Sequence, residues 1–399
     1  MHPTKRCIRL RPLKSRARTT LICVGVCIVF LLAGYEMKDC FSGRDLPALP
    51  KLCWSDANFL YEARGIDRNA FPYVEVETLE YPVLTGLYLW AVGLPVNSMV
   101  DFFKLNALIL GLVAIGIAAF LSRSHGYRAL LWAGAPALAF YAFLNFDVLA
   151  VAASLVGFWL WRREKPGGAA IAFAIGACLK LYPGLFLIPL VFQELSARRY
   201  KRAIATSVAG ATTLAAINVP FMVANFDGWK SFLAFYRDRP PNGDSVWNFV
   251  MDTVGLSIPI VNTLSQLLVG IFVMGALYIA HKRFQTSHTY PFLEVCAAIV
   301  VILLMWSKVH SPQFVLWLLP FFVLLEMRIG WWLAYIAVDA WVYLALDGQL
   351  PIVSDLVSAD AAIGVLLRAI LLFALFVTLA RRIQTGSPAN GLETANNSV

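Results

Sequence analysis

The chain has 399 residues, of which 59% are hydrophobic and 14% charged, and its formal net charge is +9. Soluble domains carry about 25% charged residues, so the composition excludes a soluble globular protein. The excess Lys and Arg falls in short clusters between apolar runs, which in a membrane protein reports orientation rather than nucleic-acid binding.

From the N-terminus, the basic stretch "MHPTKRCIRLRPLKSRAR" precedes "TTLICVGVCIVFLLAGYEM". The apolar part is long for a signal peptide and "AGYEMKDC" is a poor cleavage site, so a retained first helix over 19–36 is expected. A polar segment follows, with "WSDANFLYEARGID" (54–67) and "YVEVETLEYP" (73–82) at its centre. The Pro-bounded run 81–96 is expected to lie on or dip into the membrane surface without crossing. Further helices are predicted over 100–121, 129–144, 146–161, 168–182, 184–195, 203–223, 256–280, 290–307, 312–327, 329–347 and 360–381. Many of these reach the ~20 residues that cross a bilayer. The tail 386–399 has a disordered composition. The expectation is an all-α polytopic integral membrane protein with about 12 transmembrane helices plus one external interfacial helix. Residues 1–385 then form a single transmembrane domain, with 386–399 as a cytoplasmic tail.

Charge tests this layout. With the N-terminus cytoplasmic, alternation places "SRSHGYR", "WRREKPGG", "ELSARRYKR", "AHKRFQTSH", "EMRIG" and "ARR" all on the inner side, as the positive-inside rule demands. A full crossing at 81–96 would move every later cluster to the wrong side. The segments left outside are 37–82, 144–147, 178–184, 224–255 and 307–313.

Those outer segments hold the unusual polar residues, and polar groups at membrane depth are functional candidates by default. Asp56 is suited to act as a general base; otherwise it is a solvated acid or a helix N-cap. Glu75, Glu77 and Glu80 form a second acidic set, which an exposed extended segment would also explain. Asn145 and Asp147 sit between two apolar runs, where Asp147 has the simpler reading of an N-cap. Lys180 in "CLKLYPG" either snorkels to the interface or meets a phosphate as a point charge. Lys308, His310 and Gln313 in "SKVHSPQ", with Arg237 and Arg239 in "FYRDRPP", add outer positive charge that the orientation rule disfavours. An anionic headgroup would account for it. Cys40 and Cys53 both fall outside and either form a disulfide or remain free thiols. The seven cysteines show no metal-ligand spacing, and no P-loop, GxGxxG, HExxH or DxD motif is present. No cofactor is expected, and a soluble nucleotide donor is disfavoured.

The blocks "SDANFLYEARG", "EYPVLTGLYLW", "NFDVLAVAASLVGFWLWRR", "GACLKLYPGLFLIPLVF", "NVPFMVANFDGWKSFLAFYRDR" and "SKVHSPQFVLWLLPF" together resemble glycosyltransferase family 87. This is the α-mannosyltransferase group within the polyprenyl-phosphate-sugar-dependent, C-type membrane glycosyltransferases. The usual "YPP" after the first outer loop is "EYPV" in this chain. The resemblance implies an inverting transfer of a hexose, mannose above all, from a polyprenyl-phosphate-sugar donor to a lipid or glycan acceptor. It implies a multi-pass protein of the bacterial plasma membrane with its site on the outer face. It implies Asp56 as the base with Glu80 as its rival, and donor binding by Lys180, Tyr182, Lys308, His310, Gln313, Arg237, Arg239, Asn145 and Asp147. The alternatives are the same chemistry with another sugar, or a lipid or small-solute transporter. A transporter is expected to carry midplane charges, whereas this chain gathers its polar groups at one face.

Overall fold

The computed structural model describes residues 15–36, 55–76, 78–143, 145–346 and 357–386. Cys40, Cys53, Glu77 and the tail from 387 onward lie outside the described residues, so the disulfide and the disordered tail are not addressed by it. Among the described residues the fold is all-helical, with one isolated bridge between Pro72 and Val76 in place of any strand.

The chain runs α1 (Ser15–Glu36), α2 (Asp56–Ala63), α3 (Val83–Gly93), α4 (Met99–His125), α5 (Leu130–Ala133) and α6 (Pro136–Tyr141). Then come α7 (Asp147–Arg162), α8 (Pro166–Leu179), α9 (Leu187–Ser196), α10 (Tyr200–Ala224), α11 (Phe226–Asp238) and α12 (Val246–Val254). The last are α13 (Ile258–Ser287), α14 (Phe292–Trp306), α15 (Val315–Leu324), α16 (Ile329–Leu346) and α17 (Val357–Thr385).

Among the described residues, six stretches are long and apolar enough to cross a membrane: Ser15–Gly34, Met99–Ala133, Tyr200–Ala224, Ile258–Ser287, Ile329–Leu346 and Ala361–Thr385. The expected count of twelve crossings is therefore not met by helix length. The run 129–144 is cut at Gly134–Ala135–Pro136 into two short helices, because Pro136 lacks the N–H that a continuous helix needs. The runs 168–182 and 184–195 form a helical hairpin, α8 and α9, that turns at Lys180 through a 3₁₀ segment, Tyr182–Phe186. α14 and α15 are sheathed almost completely by their neighbours, so a continuous lipid-facing length is not required of them. α10 is the opposite case. Tyr200, Ile204, Val208, Val219 and Val223 are all exposed, an apolar face that suits lipid contact.

The predicted orientation has a structural counterpart. Arg18 donates to the Ser122 carbonyl at 3.2 Å, Trp161 to Gln193 at 2.9 Å, and Arg382 to the Leu325 carbonyl at 2.6 Å. Ser196 meets His281 at 3.1 Å, and Arg128 donates to the Met327 carbonyl. These contacts gather the basic segments at one end of the bundle. α1 leaves that end and α4 returns to it, so α2 and α3 both belong to the opposite end, where α3 lies as the expected non-crossing helix. The core is a chain of aromatic contacts, Phe158 with Phe173 at 5.3 Å and with Phe321 at 5.4 Å, and Phe173 with Phe186 at 5.5 Å. Gly157 is needed where α7 and α8 meet, since a Cβ there would stand 2.3 Å from Phe173.

Candidate active site

Asp56 opens α2. The N-cap is Ser55, whose hydroxyl accepts from the Ala57 amide at 3.2 Å and donates to the Phe143 carbonyl at 2.7 Å. Asp56 is thus the first helical residue and not the cap. Ser55 pins the start of α2 to the segment that carries Asn145. Asp56 Oδ2 accepts from the Tyr81 hydroxyl at 2.5 Å and from Asn145 Nδ2 at 2.5 Å, and Asn145 also donates to the Tyr81 oxygen at 2.8 Å. Tyr81 is held in turn by Tyr73, whose hydroxyl donates to the carbonyls of Tyr81 and Pro82, both at 2.8 Å. Burial and the Asp56 charge keep the Tyr81 phenol well above its ordinary pKa, so it is a donor.

Glu80 is engaged by Arg64: it accepts from Arg64 Nε at 2.7 Å and from Arg64 Nη2 at 3.1 Å. Glu75 accepts from the Phe71 amide at 2.6 Å on the exposed side of the loop.

Asp147 is the first residue of α7, and its side chain caps nothing. It is buried, accepting from Trp317 Nε1 at 2.6 Å and from Lys180 Nζ at 3.3 Å. Lys180, buried at the α8–α9 turn, also lies over the rings of Tyr81 at 5.3 Å and Phe314 at 5.1 Å. It does not snorkel to the surface. Tyr182 stacks on Trp317, with centroids 4.3 Å apart, and so packs the wall behind this pair.

The segment 307–313 closes the site. Lys308 Nζ donates to the carbonyls of Arg237 at 2.9 Å and Arg239 at 2.7 Å, tying the end of α11 to this turn. Burial and the neighbouring Arg239 charge lower its pKa. His310 is buried, with Nδ1 2.8 Å from the Leu304 carbonyl. That contact requires the proton on Nδ1. Burial and the Arg368 charge push its pKa well down, so His310 is a neutral imidazole, which corrects its expected role as a cation. Arg239 donates to Asn242 at 2.6 Å, and Asn242 donates to Ser311 at 3.2 Å. Arg237 faces solvent and pairs with its neighbour Asp238 at 2.7 Å.

Two cavities meet among these residues. The polar one, about 530 Å³, is lined by Asp56, Glu80, Asn145, Arg239, Asn242 and Gln313, among others. The second, about 440 Å³, is mostly apolar, with Leu181, Leu185, Leu233, Leu303, Val309 and Trp317 in its wall, and Lys308 and Arg237 beside them. Lys180, Tyr236 and Phe314 line both and mark the junction. Of the predicted site residues, Asp147 and His310 line neither cavity.

Sequence reasoning missed Tyr81 and Tyr236. Aromatics at helical spacing suggest core, and neither tyrosine carries a charge to draw attention. The usable signal for Tyr81 was its position directly after Glu80 in "EYP". Among the described residues there is no group of three or more His, Cys, Asp or Glu placed to hold a metal ion.

The arrangement is a carboxylate oriented by Tyr81 and Asn145 at one end of a polar cavity, a buried ammonium at the junction, and an apolar cavity beyond it. This suits an amphiphile whose anionic group separates a polar head from a hydrocarbon chain. A search of curated proteins gives no match. The sequence model of glycosyltransferase family 87 matches residues 100–312, which include Asn145, Lys180, Tyr236 and Lys308. The chain therefore belongs to glycosyltransferase family 87.

Proposed function

We propose that this glycosyltransferase moves a hexose, mannose in the first place, from a polyprenyl-phosphate-sugar donor to a hydroxyl of a lipid or glycan acceptor. The observation that carries the reading is the junction of the two cavities. The polar cavity offers Asp56, Asn145, Asn242 and Gln313 to a sugar. The apolar cavity offers a hydrocarbon wall to a prenyl chain. Lys180 stands where the phosphate between them would lie. Lys308 and Arg239 add positive charge on either side, and His310 supports the 307–313 turn as a neutral group. The site lies at the end of the bundle opposite the basic clusters, which by the positive-inside rule supports the reading of an outer-face site.

In the proposed step Asp56 takes the proton of the acceptor hydroxyl while that oxygen bonds to the anomeric carbon. The carbon–oxygen bond to the phosphate breaks on the opposite face, and polyprenyl phosphate departs with the electron pair. One carboxylate and inversion at carbon follow from this geometry. The phosphate leaves as a stabilised anion, so Lys180 can do by charge what an acid would otherwise do by proton transfer. The donor is already activated, so the step itself requires no redox or group-carrying cofactor.

The test is transfer of radiolabelled mannose from polyprenyl-phosphate-mannose in membranes with and without the protein, alongside Asp56→Asn. A positioned base contributes about 10²–10⁴-fold, so the variant should insert normally and lose transfer by that factor. Absence of transfer from this donor class, or full activity in Asp56→Asn, would sink the reading or its base.

A further inference from the structure

Tyr236 occupies a position that the proposed step has not yet used. α11 is an amphipathic helix whose start is capped by Asn225, which accepts from the Gly228 amide at 3.0 Å. Its residues Phe235, Tyr236 and Arg239 line the polar cavity, while Leu233, Tyr236 and Arg237 line the apolar one. The helix edge between the cavities is therefore Tyr236. Its hydroxyl makes no hydrogen bond to any described residue, whereas the Tyr81 and Tyr182 hydroxyls are both partnered. The side chain of Gln313, buried and facing the same polar cavity, likewise makes no hydrogen bond among the described residues. Both groups border the polar cavity instead of a protein partner, and two unpartnered polar groups lining one space point to a ligand that supplies the partner.

Resting on the lipid-phosphate reading above, we propose that the Tyr236 hydroxyl is a catalytic ligand of the departing phosphate, donating a hydrogen bond to it at the junction beside Lys180. Burial raises the phenol's pKa, while Lys180 and Arg239 oppose the rise. The hydroxyl therefore keeps its proton and is a donor rather than a second base. No proton is transferred: the sugar–phosphate bond breaks as before, and Tyr236 with Lys180 holds the oxygen on which charge develops. A donor aimed at developing charge in a water-poor site acts more on the transition state than on the bound substrate. The phenyl ring, meanwhile, continues the apolar wall.

Tyr236→Phe is a clean probe, because the hydroxyl it removes bonds to no described residue and the ring that packs α11 remains. Binding of farnesyl phosphate and of farnesol to purified protein is measured for the wild type, Tyr236→Phe and Asp56→Asn, together with steady-state transfer. The expected result is about tenfold weaker farnesyl phosphate binding in Tyr236→Phe, with farnesol binding unchanged, as befits one lost hydrogen bond to a charged group. The kcat should fall more than the KM rises. Farnesyl phosphate binding and kcat equal to wild type would overturn the inference. So would an equal loss for farnesyl phosphate and farnesol, which would make Tyr236 an apolar wall only. A wild-type protein that does not distinguish farnesyl phosphate from farnesol would instead bring down the lipid-phosphate reading, whatever Tyr236→Phe does.

Discussion

Two buried ionic clusters lie toward the same end of the bundle, and they differ in what they leave open. At the junction, Asp147 and Lys180 pair at 3.3 Å, and Lys180 faces both cavities. Between α16 and α17, Arg368 meets Asp339 at 3.0 Å and the Asp244 carbonyl, and Tyr141 donates to Asp339 at 3.1 Å. Arg368, Asp339 and Asp244 are at least as buried as Lys180, yet none of them lines either cavity. The first cluster presents a charge to a space. The second spends its charges on joining two helices to the loop that carries Asn242. A charge inside an apolar helix is a sign of a partner; it is a sign of chemistry only when a cavity meets it.

The sharpest way to break this contrast is at Arg368. Removing one partner of a buried pair costs about 3–5 kcal/mol, because the other charge is left unpaired. Arg368→Met should lower the thermal stability of the detergent-solubilised protein by an amount of that order, and Arg368→Met with Asp339→Leu should recover much of it. If the single variant is stable but fails to bind donor, the second cluster belongs to the site after all.

Lys180→Ala tests the other half. A charge-assisted hydrogen bond is worth about 1.5–3 kcal/mol, which corresponds to roughly 10–100-fold in donor affinity. The loss should appear in binding of farnesyl phosphate and spare farnesol. Asp147→Asn should weaken the same affinity less, because Asp147 only holds the lysine in place. Unchanged phosphate binding in Lys180→Ala would leave the junction without its proposed role.

His310 connects the two clusters. It feels the Arg368 charge on one side, and its ring lies 6.4 Å from Phe314 at the junction on the other. Its folded-state pKa lies well below its ordinary value, so the unfolded chain binds the proton more readily. The associated stability is complete above the ordinary imidazole value of about 6.5. Below it, about 1.4 kcal/mol is lost per pH unit until the folded value is passed. Melting temperatures measured from pH 7.5 to pH 5 should fall more steeply for the wild type than for His310→Asn. Parallel slopes would show that another group titrates there.

The pattern of apolar runs and basic clusters carried the architecture: the gathered basic segments and the non-crossing α3 were both legible from it. The helix lengths were not, because a helix sheathed by protein, such as α14 or α15, escapes the length that lipid imposes. Asp56, Asn145, Asp147 and Lys180 stood out as polar residues at the edges of apolar runs. That Asp147 serves Lys180, 33 positions along the chain, depends on two helix ends meeting in space. Asp339 and Arg368 carried a readable signal that went unused: opposite charges deep inside the predicted helices 329–347 and 360–381, away from the charges at their ends, each needing a partner. Tyr236 carried none, since a tyrosine on an amphipathic helix becomes distinctive only when its hydroxyl is seen without a partner.

The smallest expected effect decides between two carboxylates. Glu80 and Asp56 both line the polar cavity, so proximity alone does not choose a base. Their partners do. Glu80 is held on both oxygens by Arg64, in a pair whose side chains keep 20% and 12% of their surface exposed. Both carboxylate oxygens are occupied by the guanidinium fork, so Glu80 would have to leave Arg64 to reach an acceptor hydroxyl. Asp56 accepts on Oδ2 from Tyr81 and Asn145, which hold it at the polar cavity. If Asp56 is the base, Glu80→Gln should change transfer by no more than a few-fold. Arg64→Ala should do the same, since it releases Glu80 without touching Asp56. Parallel measurement of kcat for Asp56→Asn, Glu80→Gln and Arg64→Ala separates the two. A dead Glu80→Gln beside an active Asp56→Asn would move the base to Glu80 and make Arg64 the group that orients it.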